Sequence, residues 1–139
     1  MKKSIVFAIS LLPALLMAGC AVDKPEETVS AQTETAEVHS ISPADAKALM
    51  DSEEVVLLDV RTQEEYNESH IEGALLVPYD EVSKHLDELP ADKDAPIIVY
   101  CRSGSRASAA GQTLIKLGYT QVYNMGGISG WTYGTVSGN

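Results

Sequence analysis

Between residues 55 and 125 the chain alternates short apolar runs with longer stretches that are spaced and capped like helices. The runs VVLLDV (55–60), ALLVP (74–78), PIIVYC (96–101) and QVYNM (121–125) predict strands buried on both faces. Helix starts lie between them. In SPADAKALM, Ser42 is a predicted N-cap, Pro43 occupies the first helical position and Asp45 lies in the first turn. TQEEY repeats this logic, with Thr62 as cap and Glu65 closing a capping box. A third helix, rich in alanine, is expected from about Ser103 or Ser105 to Leu117, with Gly118 as its stop. Strands alternating with helices predict an α/β domain with a mainly parallel sheet, whose ligands bind beyond the carboxyl ends of the strands. Asp59 closes one run and Cys101 another, so both are expected at that edge.

The amino-terminal residues follow a different pattern. Lys2 and Lys3 precede a nearly continuous apolar stretch from Ile5 to Met17, the pattern of a signal peptide. The stretch is interrupted by Pro13 and falls short of the roughly 20 residues that a membrane-spanning helix needs. It ends in LLMAGC, which resembles the lipobox of bacterial lipoproteins, with Met17 where leucine is usual. That resemblance implies cleavage after residue 19 and acylation of Cys20, with two or more acyl chains anchoring the protein stably to a membrane in the cell envelope, on its periplasmic or extracellular side. Residues 20–37 have few large apolar side chains and are acidic, and they predict a flexible tether spanning roughly 20 to 25 Å. The remaining residues, 38–139, suit one domain with one core, expected to be monomeric.

The formal net charge is −10, and removing residues 1–19 takes away two lysines, so a nucleic-acid partner is not expected. Residues 38–94 hold 15 acidic and 4 basic side chains. Residues 95–139 hold no acid, and their cations are Arg102, Arg106 and Lys116. Because screening confines surface electrostatics to about 8 Å at physiological salt, the local cations are expected to govern what binds near Cys101.

If Cys20 carries lipid, Cys101 is the one thiol left, and it stands in the segment YCRSGSRASAA between a predicted strand and a predicted helix. A thiol becomes a useful nucleophile where a helix N-terminus and nearby cations stabilise its thiolate. A tight turn through Ser103, Gly104 and Ser105 would aim successive backbone N–H groups at one point, and Gly104 permits backbone angles that a side chain forbids. Arg102, Arg106 and the serine hydroxyls complete a candidate anion site. His39 and His85 lack ligand-like spacing, so no metal is expected. No cofactor is implied either, and Trp131 and Tyr133 are expected to pack the closing segment.

CRSGSR resembles the active-site loop of single-domain rhodaneses, which are sulfurtransferases. The likeness extends to LLDVRTQEEYNESHIEGALLVPY (57–79) and NMGGISGW (124–131), and covers nearly all of residues 38–133. Arg106 follows Cys101 by five residues, as in that family, whereas the related phosphatases use a loop one residue longer. The resemblance implies a three-layer domain with a mainly parallel sheet of about five strands and helices on both faces. It also implies a persulfide on Cys101, loaded from thiosulfate or a similar donor and passed to a thiophilic acceptor, cyanide in an assay. Arg102, Ser103, Gly104, Ser105 and Arg106 would bind the donor. Asp59 and Arg61, matching the family's DVR, would brace the edge. His70 is expected to be structural. The competing expectations are a rhodanese-like module that binds a partner or carries sulfur without turnover, and, less compatible with the loop length, a cysteine phosphatase or arsenate-type reductase.

Overall fold

All four apolar runs contribute strands to one sheet, and a fifth strand joins them from a stretch with no apolar run. The computed structural model describes residues 35–138, so the signal peptide, Cys20 and most of the tether lie outside the described residues. In chain order the elements are β1 (Val38–Ser40), α1 (Pro43–Ser52), β2 (Val56–Asp59), α2 (Gln63–Glu68), β3 (Leu75–Leu76), β4 (Ile97–Cys101), α3 (Ser105–Lys116) and β5 (Val122–Gly127). The strand order is β1-β5-β4-β2-β3, and every neighbouring pair is parallel.

The central strand β4 is buried along its whole length, as its unbroken apolar run requires. Side-chain alternation splits it between two cores. Ile97, Val99 and Cys101 pack on the face covered by α3, with Leu58, Val60, Ala107, Ala110 and Leu114. Ile98 and Tyr100 pack on the opposite face with Ala46, Leu57, Ile71 and Met125, where α1 and α2 contribute Leu49, Met50 and Tyr66. Helices therefore cover both faces of a three-layer α/β domain. Full burial of a side chain such as Leu114 contributes about 1.5–3 kcal/mol.

Local signals set the helix ends. Ser42 accepts from the Asp45 N–H at 3.1 Å, and Thr62 and Glu65 form the complete capping box. Helix α3 ends where Gly118 turns to φ 95°, with its N–H donating to the Ile115 carbonyl and the Tyr119 N–H to the Leu114 carbonyl. This is a Schellman arrangement. Strand β3 is shorter than the run ALLVP: its regular pairing with β2 covers Leu75 and Leu76, at the edge of the sheet. The flanking Val77 and Tyr79 still donate to the carbonyls of Asp59 and Val60.

Strand β1 was not legible as a strand. It is three residues long, reads Val-His-Ser, and forms by pairing Val38 with Val122 along the edge of β5. Gly111 lets it approach: a Cβ there would lie 2.9 Å from a Val38 methyl. A glycine that weakens the middle of α3 thereby admits the edge strand.

Candidate active site

Cys101 is the last residue of β4, and its side chain points to the α3 face. The backbone N–H of Gly104 donates to Sγ at 2.9 Å. Gly104 is the N-cap of α3 and takes φ 95°, so the chain doubles back from strand to helix in a left-handed turn. No side chain caps this helix end. The turn instead offers its N–H to sulfur, and the amino end of a 12-residue helix adds favourable potential for a negative charge there. The loop residues meet solvent unequally: Cys101 is fully buried, whereas Arg102, Ser103 and Ser105 are exposed.

Strand β5 holds the turn in shape. Asn124 donates from Nδ2 to the Gly104 carbonyl at 3.2 Å and accepts the Gly126 N–H on Oδ1 at 2.8 Å. The register between β4 and β5 shifts after Val99, so that Tyr100 pairs with Gly126 and Cys101 with Gly127. This irregularity brings β5 hard against the loop: a Cβ on Gly127 would lie 2.3 Å from the Arg102 carbonyl oxygen, and one on Gly104 would lie 3.2 Å from the Gly126 Cα. Asn124, Gly126 and Gly127 are site residues that reading by chemistry passed over. Their signal was the paired glycine in NMGG, which a strand interior rarely carries without a close backbone approach.

Arg106 does not offer a free charge to the loop. Its two terminal nitrogens donate to Glu65 Oε2 at 2.7 Å and Oε1 at 2.9 Å, in a half-buried pair. The acid-free carboxyl-terminal segment thus receives an acid from the other half of the domain. Arg106 holds the Glu65 carboxyl well below its ordinary range, to about 2, reinforced by the Thr62 N–H and hydroxyl despite partial burial. In return Glu65 raises the Arg106 guanidinium above its usual value.

Asp59 and Arg61 sit at the carboxyl edge, as expected, but Asp59 lies on the opposite face of the sheet from the thiol. Asp59 is fully buried and pairs across β2 and β4 with Tyr100, the residue before Cys101. Its carboxylate accepts from Arg61 Nε at 2.9 Å, from the second guanidinium nitrogen at 2.6 Å, and from the Tyr100 hydroxyl at 2.8 Å. Arg61 also donates to the Ser69 carbonyl, and Tyr100 accepts the Ile71 N–H. Burial pulls the Arg61 guanidinium down, but hydrogen bonding and charge from Asp59 more than offset it, and the net direction is upward. Burial likewise pushes the Tyr100 phenol well up. This network braces the strand that delivers Cys101 and does not touch the thiol.

His70 stacks on Tyr66 with ring centroids 3.6 Å apart, and its Nδ1 lies 2.8 Å from the Tyr66 carbonyl. Its backbone exchanges two hydrogen bonds with Val136, which ties down the carboxyl-terminal segment. Trp131 is buried, donates from Nε1 to the Gly134 carbonyl and meets Tyr133 edge-on. The two rings also border a cleft of about 350 Å³ against Met50 and Ile71.

Comparison with known proteins agrees with this architecture. The rhodanese-like domain model matches residues 42–133. A sulfurtransferase of Allochromatium vinosum is 38% identical over 87 residues, covering 62% of this chain and 79% of its own. The thiosulfate sulfurtransferase PspE of Escherichia coli is 37% identical over 71 residues, covering 51% and 68%. The crystal structure of a rhodanese-like domain protein from Staphylococcus aureus superposes with a TM-score of 0.64 at 28% identity, covering 73% of this chain and all of its own. With a parallel sheet that ends in a cysteine beneath a helix-opening turn, the chain belongs to the rhodanese-like domain family, together with relatives named as sulfurtransferases.

Proposed function

We propose that the protein transfers a sulfane sulfur from thiosulfate or a similar donor to a thiophilic acceptor through a persulfide on Cys101. The observation that carries this reading is the Gly104 N–H directed at Cys101 Sγ at 2.9 Å, at the amino end of α3. The Cys101 thiolate attacks the outer sulfur of the donor, the donor S–S bond breaks, and sulfite leaves with the electron pair. The acceptor then takes the outer sulfur and regenerates the thiolate; cyanide would leave as thiocyanate. Preorganised N–H groups favour charge on the attacking sulfur and on the persulfide without reorganising during the reaction. Because Cys101 itself is fully buried, the outer persulfide sulfur, about 2.05 Å further out, is the atom that an acceptor meets. Arg102 and the hydroxyls of Ser103 and Ser105 are exposed beside it.

The proposal extends to location: LLMAGC supports export and lipid on Cys20, which would hold the domain at a membrane. Mass spectrometry of the mature protein, with and without thiosulfate, tests both parts. The expected result is lipid on Cys20 and one added sulfur atom on Cys101, with no sulfur loading and no turnover in Cys101→Ala.

The complete burial of Cys101 favours a second reading, a module that binds a partner or stores sulfur without turnover. A partner that still binds Cys101→Ala, together with no transfer to any acceptor, would establish it.

A further inference from the structure

The cleft of about 350 Å³ beside Trp131 lies between α1 and the carboxyl-terminal segment, among residues of the core on the opposite face of the sheet from Cys101. Helix α1 starts beside the carboxyl edge of the sheet and runs back from it. Met50 and Asp51, in its last turn, therefore line the cleft toward the amino ends of the strands, away from the cysteine turn. Met50 and Ile71 supply apolar wall, and the Trp131 and Tyr133 rings meet at 65° with centroids 4.9 Å apart, an aromatic corner. The Trp131 N–H is committed to the Gly134 carbonyl, so the corner offers ring surface rather than a donor.

Three charged side chains complete the lining. Lys47 donates to both carboxylate oxygens of Asp51, which neutralises that pair. Glu72 is exposed and makes no ion pair among the described residues. The cleft thus sets one uncompensated negative charge beside aromatic rings, in a volume that suits a small organic molecule. An anion would meet Glu72 with no free cation to offset it. A cation is drawn both to the carboxylate and to the negative ring faces. We propose that this cleft is a second binding site, independent of sulfur transfer at Cys101, for a singly charged organic cation with an apolar body, a substituted ammonium. Its head faces Glu72 and the Trp131–Tyr133 corner, and its body lies against Met50 and Ile71.

Trp131 is the one tryptophan of the sequence, so its fluorescence reports on the cleft directly. The test titrates the protein with benzyltrimethylammonium, benzyl alcohol and phenylmethanesulfonate, which share a benzyl body and carry a positive, a neutral and a negative head. The cation is expected to change Trp131 fluorescence saturably with a Kd of about 1 mM. It is expected to bind about tenfold tighter than the alcohol, with the sulfonate weaker still. Glu72→Gln, a change at an exposed position, is expected to weaken the cation about fivefold and leave the alcohol unmoved. The Met50 methyl resonance, followed by NMR in the same titrations, is expected to shift with the same Kd and reports occupancy even where fluorescence is unchanged. A cation that shifts neither probe, equal binding of the three compounds, or a cation preference unmoved in Glu72→Gln overturns the proposal. Each of these outcomes leaves the sulfurtransferase reading standing.

Discussion

Glu65 and Arg106, 41 residues apart, are joined by two hydrogen bonds of 2.7 and 2.9 Å that tie the start of α2 to the first turn of α3. The same carboxylate completes the capping box of α2, accepting from the Thr62 N–H and hydroxyl. One acid thus organises a helix start and locks the arginine that follows the cysteine turn.

The pair gives stability a defined pH dependence. Glu65 titrates near 2 in the folded chain against an ordinary 4.5, because Arg106 donates to it, so the folded state binds fewer protons between those values. Its contribution is whole above 4.5 and fades as pH falls through about 2. Denaturant unfolding of the wild type and Glu65→Gln is expected to show a gap that is constant near neutrality and closes over that acid range. A gap that persists unchanged into acid would contradict the assignment. Partial exposure of both partners keeps the gap small.

Asp59→Ala strands the Arg61 guanidinium and the Tyr100 hydroxyl in a buried site. Breaking a buried ion pair from one side costs about 3–5 kcal/mol, and urea unfolding is expected to show a loss of that order. Tyr100→Phe, which leaves the Asp59–Arg61 pair intact, is expected to cost about 1–3 kcal/mol. Equal losses in the two variants would rule out the ion pair as the centre of the network.

Gly127→Ala places a methyl group 2.3 Å from the Arg102 carbonyl oxygen, where backbone must move. Displacing the turn by about 1 Å is expected to slow sulfur loading of Cys101 about a hundredfold. Single-turnover loading followed by mass spectrometry checks this, and near-normal loading would show that the loop does not depend on its fit to β5.

Asn124→Ala removes the donor to the Gly104 carbonyl and the acceptor of the Gly126 N–H. A loss of about 1–3 kcal/mol is expected in thermal or denaturant unfolding. Hydrogen exchange is expected to quicken at Gly126; unchanged protection there would argue against the clamp.

The sequence by itself determined the parts that rest on local physics. Continuous apolar runs specified strands buried on both faces, Ser42, Thr62 and Glu65 specified helix starts, and Gly118 specified a helix end, because each depends on neighbours a few residues away. The cysteine turn was legible for the same reason: a strand, a glycine able to adopt φ 95° and a helix start follow one another in the chain.

Tertiary structure alone decided the rest. Pairing across β2 and β4 placed Asp59 and Cys101 at one edge, yet side-chain alternation sent them to opposite faces of the sheet. A sequence free of acids beyond residue 94 gave no sign that Glu65 would neutralise Arg106, because that contact exists only once two helix starts meet. The three-residue edge strand and the Asn124–Gly127 support of the loop likewise depend on backbone from distant segments coming within a few ångströms. Residue types set what chemistry is available here, and the packing of distant segments sets which charges remain available to a substrate.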